Sequence, residues 1–260
     1  MITLGQLLLW FLRKIEMNYL VFDIETIPDL DYGRKYLNLD GLDEADIGRS
    51  MFFQQLQKTG TEFLPLNLQR IIAISMLTDS GNNLEIRSYG SNDNSEQSMI
   101  QVFYDLVGIN ENCLVTWNGL LFDLPVLNYR ALFNGVDASS FWEEDGTEKL
   151  LHIDLKDVLT NHNTKNQGNL DSVAKGLNLP GKMNLSGEQV WDLYLESRVE
   201  DVRNYCDHDV LNTYLIFIHY QVMIGKIAKE ELSSKMQSLK KLLSDSDNDH
   251  FQLFLSTWEQ

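Results

Sequence analysis

Cysteine is scarce: the 260 residues contain two, Cys113 and Cys206, far apart and without ligand spacing. That argues against a disulfide framework or a zinc cluster and fits a reducing cytoplasm. No apolar run approaches the roughly 20 residues that span a bilayer, so no membrane partner is expected. Basic charge is also in short supply. With 21 Lys and Arg against 38 Asp and Glu, the net charge is −17. Such a balance argues against a protein that coats nucleic acid by neutralising phosphates along its length. It leaves room for one that grips a few nucleotides at one end, because carboxylates built to hold divalent cations add negative charge themselves. No internal repeat occurs. The length suits one substantial core with a small appendage and leaves no space for a polymerase domain.

The apolar run Leu7-Leu8-Leu9-Trp10-Phe11-Leu12 precedes Arg13-Lys14 instead of following a charge, and no small-residue cleavage site comes after it. A secretory signal has the opposite arrangement. Met17 stands just before the first convincing strand. Residues 1–16 are therefore expected to be an extension outside the fold, a surface helix being the alternative.

From Tyr19 to Glu25 the chain is apolar and rich in strand formers, and Ile27-Pro28 ends the run. A polar and mixed segment extends to Gln69, with helical spacing from Asp43 to Lys58. Arg70–Leu77 and Leu84–Tyr89 read as a hairpin around the turn residues 79–83. Further strands are predicted at Cys113–Trp117 and His152–Leu155, with helices at 95–107, 124–133, 170–175, 186–195 and 198–223. Three strands in succession and then alternation with helices predict an α/β fold: a mixed five-stranded sheet flanked by helices. The main domain is placed at 17–224, with a C-terminal helical extension at 225–260 packed on it.

Four carboxylates in three short contexts stand out. Asp23 and Glu25 are two apart in a strand, so both leave the same face. Two acids on one face of an apolar strand repel unless a cation lies between them. Taken alone, Asp-x-Glu also describes a solvated strand end. Asp123 follows the Asn118-Gly119 turn and Phe122 at the start of a helix, where the helix dipole alone would favour an acid. Tyr205 and Asp209 are four apart in a helix and share a face. Asp207 turns roughly 200° away and is read as solvated, and His208 as a surface histidine.

In order and context these residues resemble the DEDD exonucleases of the tyrosine type, related to the proofreading domain of B-family DNA polymerases. The matching stretches are Phe22-Asp23-Ile24-Glu25-Thr26, Asn118-Gly119-x-x-Phe122-Asp123 and Tyr205-x-x-x-Asp209. A histidine-type member would need His at position 204, which is Asn204. From Tyr19 to about Trp258 the chain is similar to a family of stand-alone predicted 3′-5′ exonucleases, through 65–75, 122–127, Leu179-Pro180-Gly181-Lys182 and 205–214. Leu120-Leu121 departs from the more polar or basic pair usual in that family.

The resemblance implies a ribonuclease-H-like fold and metal-dependent 3′→5′ hydrolysis of single-stranded or frayed DNA ends. Phosphodiester hydrolysis needs a deprotonated water and charge relief on the leaving oxygen, which two divalent ions about 4 Å apart supply. Oxygen ligands favour Mg²⁺ or Mn²⁺. By resemblance, Asp23 bridges both ions, Glu25 and Asp209 complete the first, Asp123 holds the second, and Tyr205 orients the water. Thr26, Asn118, Phe122 and Lys182 are the candidate substrate contacts, a solvated loop lysine being the alternative for Lys182. Phe52 and Phe53 are expected to pack in the core, with base stacking as the alternative. Asp154 is read as an exposed strand-end acid, an extra acid near the site being the alternative. Two other functions stay open: an RNA or short-oligonucleotide exonuclease, and a nucleic-acid-binding module without turnover.

Overall fold

Tyr19–Pro28 forms β1, the middle strand of a five-stranded sheet. It pairs antiparallel with β2 (Gln69–Asp79), which forms a hairpin with β3 (Leu84–Tyr89). On its other edge it runs parallel to β4 (Cys113–Thr116), which pairs in parallel with β5 (His152–Asp154). The resulting order, β3-β2-β1-β4-β5, with three antiparallel strands followed by two parallel ones, is the ribonuclease-H-like arrangement. The computed structural model describes residues 17–81, 83–91, 93–109, 113–163, 165–183 and 187–259. The expectation for residues 1–16 lies outside these, as does Ser186, the first residue of the helix expected at 186–195.

Alternation along β1 decides what each face of the sheet meets. Leu20, Phe22 and Ile24 are buried with α3 (Glu96–Ile109) and α4 (Asp123–Asn134). Tyr19 and Val21 face the other way, into a core shared with α6 (Leu170–Gly176) and the long α8 (Val199–Met223). Both faces are covered, so the strand reads as a continuous apolar run. Asp23 and Glu25 continue the α8 side.

Two short helices are absent from the sequence reading. α1 (Leu30–Tyr36) is capped by Asp29, which accepts from Tyr32 N at 3.0 Å. Its Gly33 hides the helical pattern, yet a Cβ there would lie 2.7 Å from Ile47 Cγ2 of α2 (Glu44–Thr59). α5 (Leu155–Leu159) is only five residues long, too short to show a period. Along α2, Phe52 packs edge-on against Trp191 of α7 (Val190–Leu195). Phe53 is 61% exposed, so the expectation of core packing fails for it. Adjacent helical positions diverge by about 100°, and the one core-facing stripe takes Met51 and Phe52.

Beyond α8 come α9 (Lys229–Ser244) and α10 (Asp249–Trp258). Leu239, Leu243, Phe251 and Phe254 enter the same core as Tyr214 and Phe217 of α8. Lys235 Nζ pairs with buried Asp79 at 2.8 Å, and Asp79 also accepts from Tyr214 Oη at 3.0 Å. This cover corrects two surface assignments on α8. Asp207 is 2% exposed, accepting from Ser75 Oγ at 2.6 Å and from Ser88 Oγ. His208 is buried, with its ring stacked on Phe254 and its Nε2 3.1 Å from the His250 carbonyl. Asp207 lies roughly 200° and His208 about 100° round the helix from Asp209, and α10 and the sheet take the place of solvent there. Among the described residues, no helix is long and apolar enough to cross a membrane.

Candidate active site

β1 and α8 bring Asp23, Glu25 and Asp209 together, with one carboxylate oxygen of each within 4.8 Å of the others. Asp123, at the first turn of α4, stands behind this group: its Oδ1 accepts from Ile24 N, between the two β1 acids, at 3.1 Å. Tyr205 lies one turn before Asp209 on α8 and hydrogen-bonds to it. The four acids and the tyrosine thus occupy one place, with Asp123 outside the tight group of three.

The electrostatics are unfavourable for bare carboxylates. Burial, then the neighbouring acids, push Asp23 well above the usual carboxylate range, and Glu25 likewise. Burial takes Asp123 up to about 7, against the pull of the Ile24 N–H. Burial also raises Asp209, although Lys182 opposes it. The Lys182 ammonium lies 3.0 Å from Asp209 Oδ2 and contacts the Tyr205 hydroxyl. Asp209 Oδ1 is buried and has no hydrogen-bond partner. An all-oxygen donor set, a spare buried carboxylate oxygen and more negative charge than one ammonium offsets fit a hard divalent cation such as Mg²⁺ or Mn²⁺. Tyr205 itself has its phenol pKa raised by burial first and by the acids second, so it is protonated at neutral pH.

A further acid stands near Asp123 and steadies the turn before it, as the alternative reading of Asp154 had it. Asp154, read above as an exposed strand-end acid, is buried at the end of β5. Its two oxygens accept from Asn118 N at 2.9 Å and Leu120 N at 3.0 Å, and the same side chain caps α5. It thereby fastens the turn, with Asn118 at φ 74°, that leads from β4 into α4. The available signal was its N-cap position, acid followed by a short helix, which explains capping but not the long-range bonds.

A cleft of about 900 Å³ opens beside Glu25. Thr26 and Phe122 line it, as do Phe52, Phe63 and Trp191. Thr26 Oγ1 is bonded to Gln69 Oε1 at 2.9 Å, and the Phe63 ring lies 5.8 Å from that of Phe122. Of the candidate substrate contacts, Asn118 and Lys182 are outside this lining. Asn118 Oδ1 instead accepts from Lys156 Nζ at 3.1 Å. Phe63 and Trp191 had no sequence signal beyond being aromatic, because the cleft forms from segments distant in the chain.

A ribonuclease-H-like sheet with clustered acids from its central strand and a covering helix defines the general class. More specifically, the chain belongs to the family described as predicted 3′-5′ exonucleases related to the exonuclease domain of PolB, whose profile matches residues 61–258. Asp123, Tyr205 and Asp209 fall inside the matched stretch, and Asp23 and Glu25 precede it. Solved structures with distant similarity include E. coli exonuclease I in complex with a dT13 oligonucleotide, at 13% identity and a TM-score of 0.39 over 80% of this chain and 46% of that one. A product-bound exonuclease I matches at 12% identity and a TM-score of 0.40, over 80% and 48% of the two chains. This chain therefore spans less than half the length of those exonuclease I chains. No curated protein is significantly similar to it.

Proposed function

We propose that this protein removes nucleotides from the 3′ end of single-stranded or frayed DNA by metal-dependent hydrolysis. The observation that carries the proposal is the meeting of Asp23, Glu25 and Asp209 within 4.8 Å beside an open, aromatic-lined cleft. Family membership supports the same reading. Two divalent cations, held by these three acids and Asp123, would supply an activated water and neutralise charge on the leaving oxygen.

The protein's own groups do the rest. Tyr205, protonated and buried beside the cluster, serves as a hydrogen-bonding positioner for the attacking water and not as a base. Phe63, Phe122 and Phe52 offer faces on which a terminal base can stack, a contact worth roughly 1–3 kcal/mol per base. Glu25 is part of the cleft lining, so a nucleotide seated there has a phosphate within reach of the carboxylates. Lys182, already among the acids, is the nearby cation for a phosphate oxygen.

The test is degradation of end-labelled single-stranded DNA and RNA with Mg²⁺ or Mn²⁺, beside Asp23→Ala and Asp209→Ala. The proposal expects stepwise shortening from the 3′ end of DNA, abolished by EDTA and in both variants. Shortening of RNA in preference to DNA would transfer the reading to an RNA exonuclease. A folded protein that binds both polymers but cleaves neither would make it a binding module.

A further inference from the structure

Lys182 reaches the carboxylates from a loop that is fastened to the helix bearing Asp209. Asn212, fully buried three residues after Asp209 on α8, donates to Gly181 O and accepts from Gly181 N, both at 3.0 Å. Asp171 of α6 accepts from Lys182 N at 2.7 Å. Gly181 adopts φ 69°, and a Cβ there would lie 2.5 Å from Asp171 Oδ1, so the loop has one tight seat. From this anchored backbone the side chain extends to Asp209 Oδ2 at 3.0 Å and to the Tyr205 hydroxyl, with Nζ 4.8 Å from the centre of the tyrosine ring. One ammonium thus engages two residues assigned to the reaction.

We propose that Lys182 is a tethered counter-ion that competes with the divalent cation for Asp209, so that metal loading and release of the ammonium from Asp209 and Tyr205 are one coupled event. The inference rests on the metal-dependent reading above and adds a control on it. A cation ligated by Asp209 and the Lys182 ammonium repel each other at such short range. The carboxylates have little room to yield, because Asp23 and Asp209 are short side chains on the paired strand β1 and the buried helix α8. Lys182 can: its side chain is 29% exposed and ends a flexible four-carbon stem. The ammonium stabilises the cluster before metal arrives, and on release it frees the Tyr205 hydroxyl for water and becomes available to a phosphate.

Calorimetric titration with Mn²⁺ at mildly alkaline pH, together with melting in EDTA, tests this on the full chain. Lys182→Met is expected to melt lower in EDTA and to bind Mn²⁺ more tightly, on the order of tenfold. Lys182→Arg, which keeps the charge, is expected to bind no more tightly than wild type. Equal or weaker binding by Lys182→Met overturns the competition and makes Lys182 an aligner of Asp209. Binding by neither wild type nor Lys182→Met removes the metal-dependent reading, and this inference with it. A second measurement does not depend on the folding of Lys182→Met. In wild type carrying ¹³C-methylated lysines, the resonance missing from Lys182→Arg should move towards the solvent-exposed position on adding Mg²⁺. A resonance that stays in place while metal binds overturns the proposal.

Discussion

His250 Nε2 lies 3.0 Å from Asp207 Oδ2, tying the last helix of the chain to the helix that carries the catalytic candidates. Asp207 is buried, and its other partners are the hydroxyls of Ser75 on β2 and Ser88 on β3. One carboxylate therefore joins α10, α8 and two strands, two residues away from Asp209.

Removing His250 leaves a buried carboxylate short of a partner. His250→Ala should lower stability by about 1–3 kcal/mol, the usual penalty for such a group. Urea denaturation measures it. A loss within about 0.5 kcal/mol, typical of surface substitutions, would mean that the contact adds nothing. Metal affinity should be retained, because Asp209 makes its contacts with Tyr205 and Lys182 and none with His250.

The carboxylate cluster sets function against stability. Asp23 is partly buried beside Asp123, Glu25 and Asp209, each of which raises its pKa. Asp23→Asn relieves that repulsion, so in EDTA the variant should be more stable than wild type by about 0.5–2 kcal/mol. The same variant should lose both cleavage and the upward shift of melting temperature that Mn²⁺ gives wild type. Thermal melts with and without metal decide; a variant that is less stable in EDTA would contradict the repulsion.

His152 gives a pH dependence away from the metal candidates. Its Nε2 is 2.8 Å from Thr116 Oγ1, its Nδ1 is buried without a partner, and burial pushes its pKa from 6.5 down to about 4. The unfolded chain therefore takes up this proton first. His152 contributes a loss of stability as pH falls from 6.5 to about 4, and nothing further below that. His152→Gln should flatten the fall in that window by on the order of 3 kcal/mol. Denaturant midpoints at several pH values measure it, and parallel curves for the two proteins would count against a buried neutral imidazole.

Where local periodicity controls an outcome, the sequence was legible. Alternation placed Asp23 and Glu25 on one face of β1, and the four-residue helical step placed Tyr205 with Asp209. Apolar runs located β1, β2 and β4, the turn residues at 79–83 pointed to β3, and the short strand expected at His152–Leu155 is β5 with Leu155 passing into α5. The failures share a cause. Asp207, His208 and Asp154 are polar residues that look solvated locally, and each is buried by an element far away in the chain. Phe53 looks like core and is exposed, since the stripe beside it already faces Trp191.

By itself, then, the sequence determined the strands, the main helices and the faces from which the acids and Tyr205 project, because backbone geometry links residues two and four apart. Only the tertiary structure decided that Asp154 fastens the turn before Asp123, that Lys182 sits on Asp209 and Tyr205, and that distant aromatic residues wall a cleft beside Glu25. Those relationships depend on packing between segments separated by tens of residues or more, and no local period encodes which side chain will meet which.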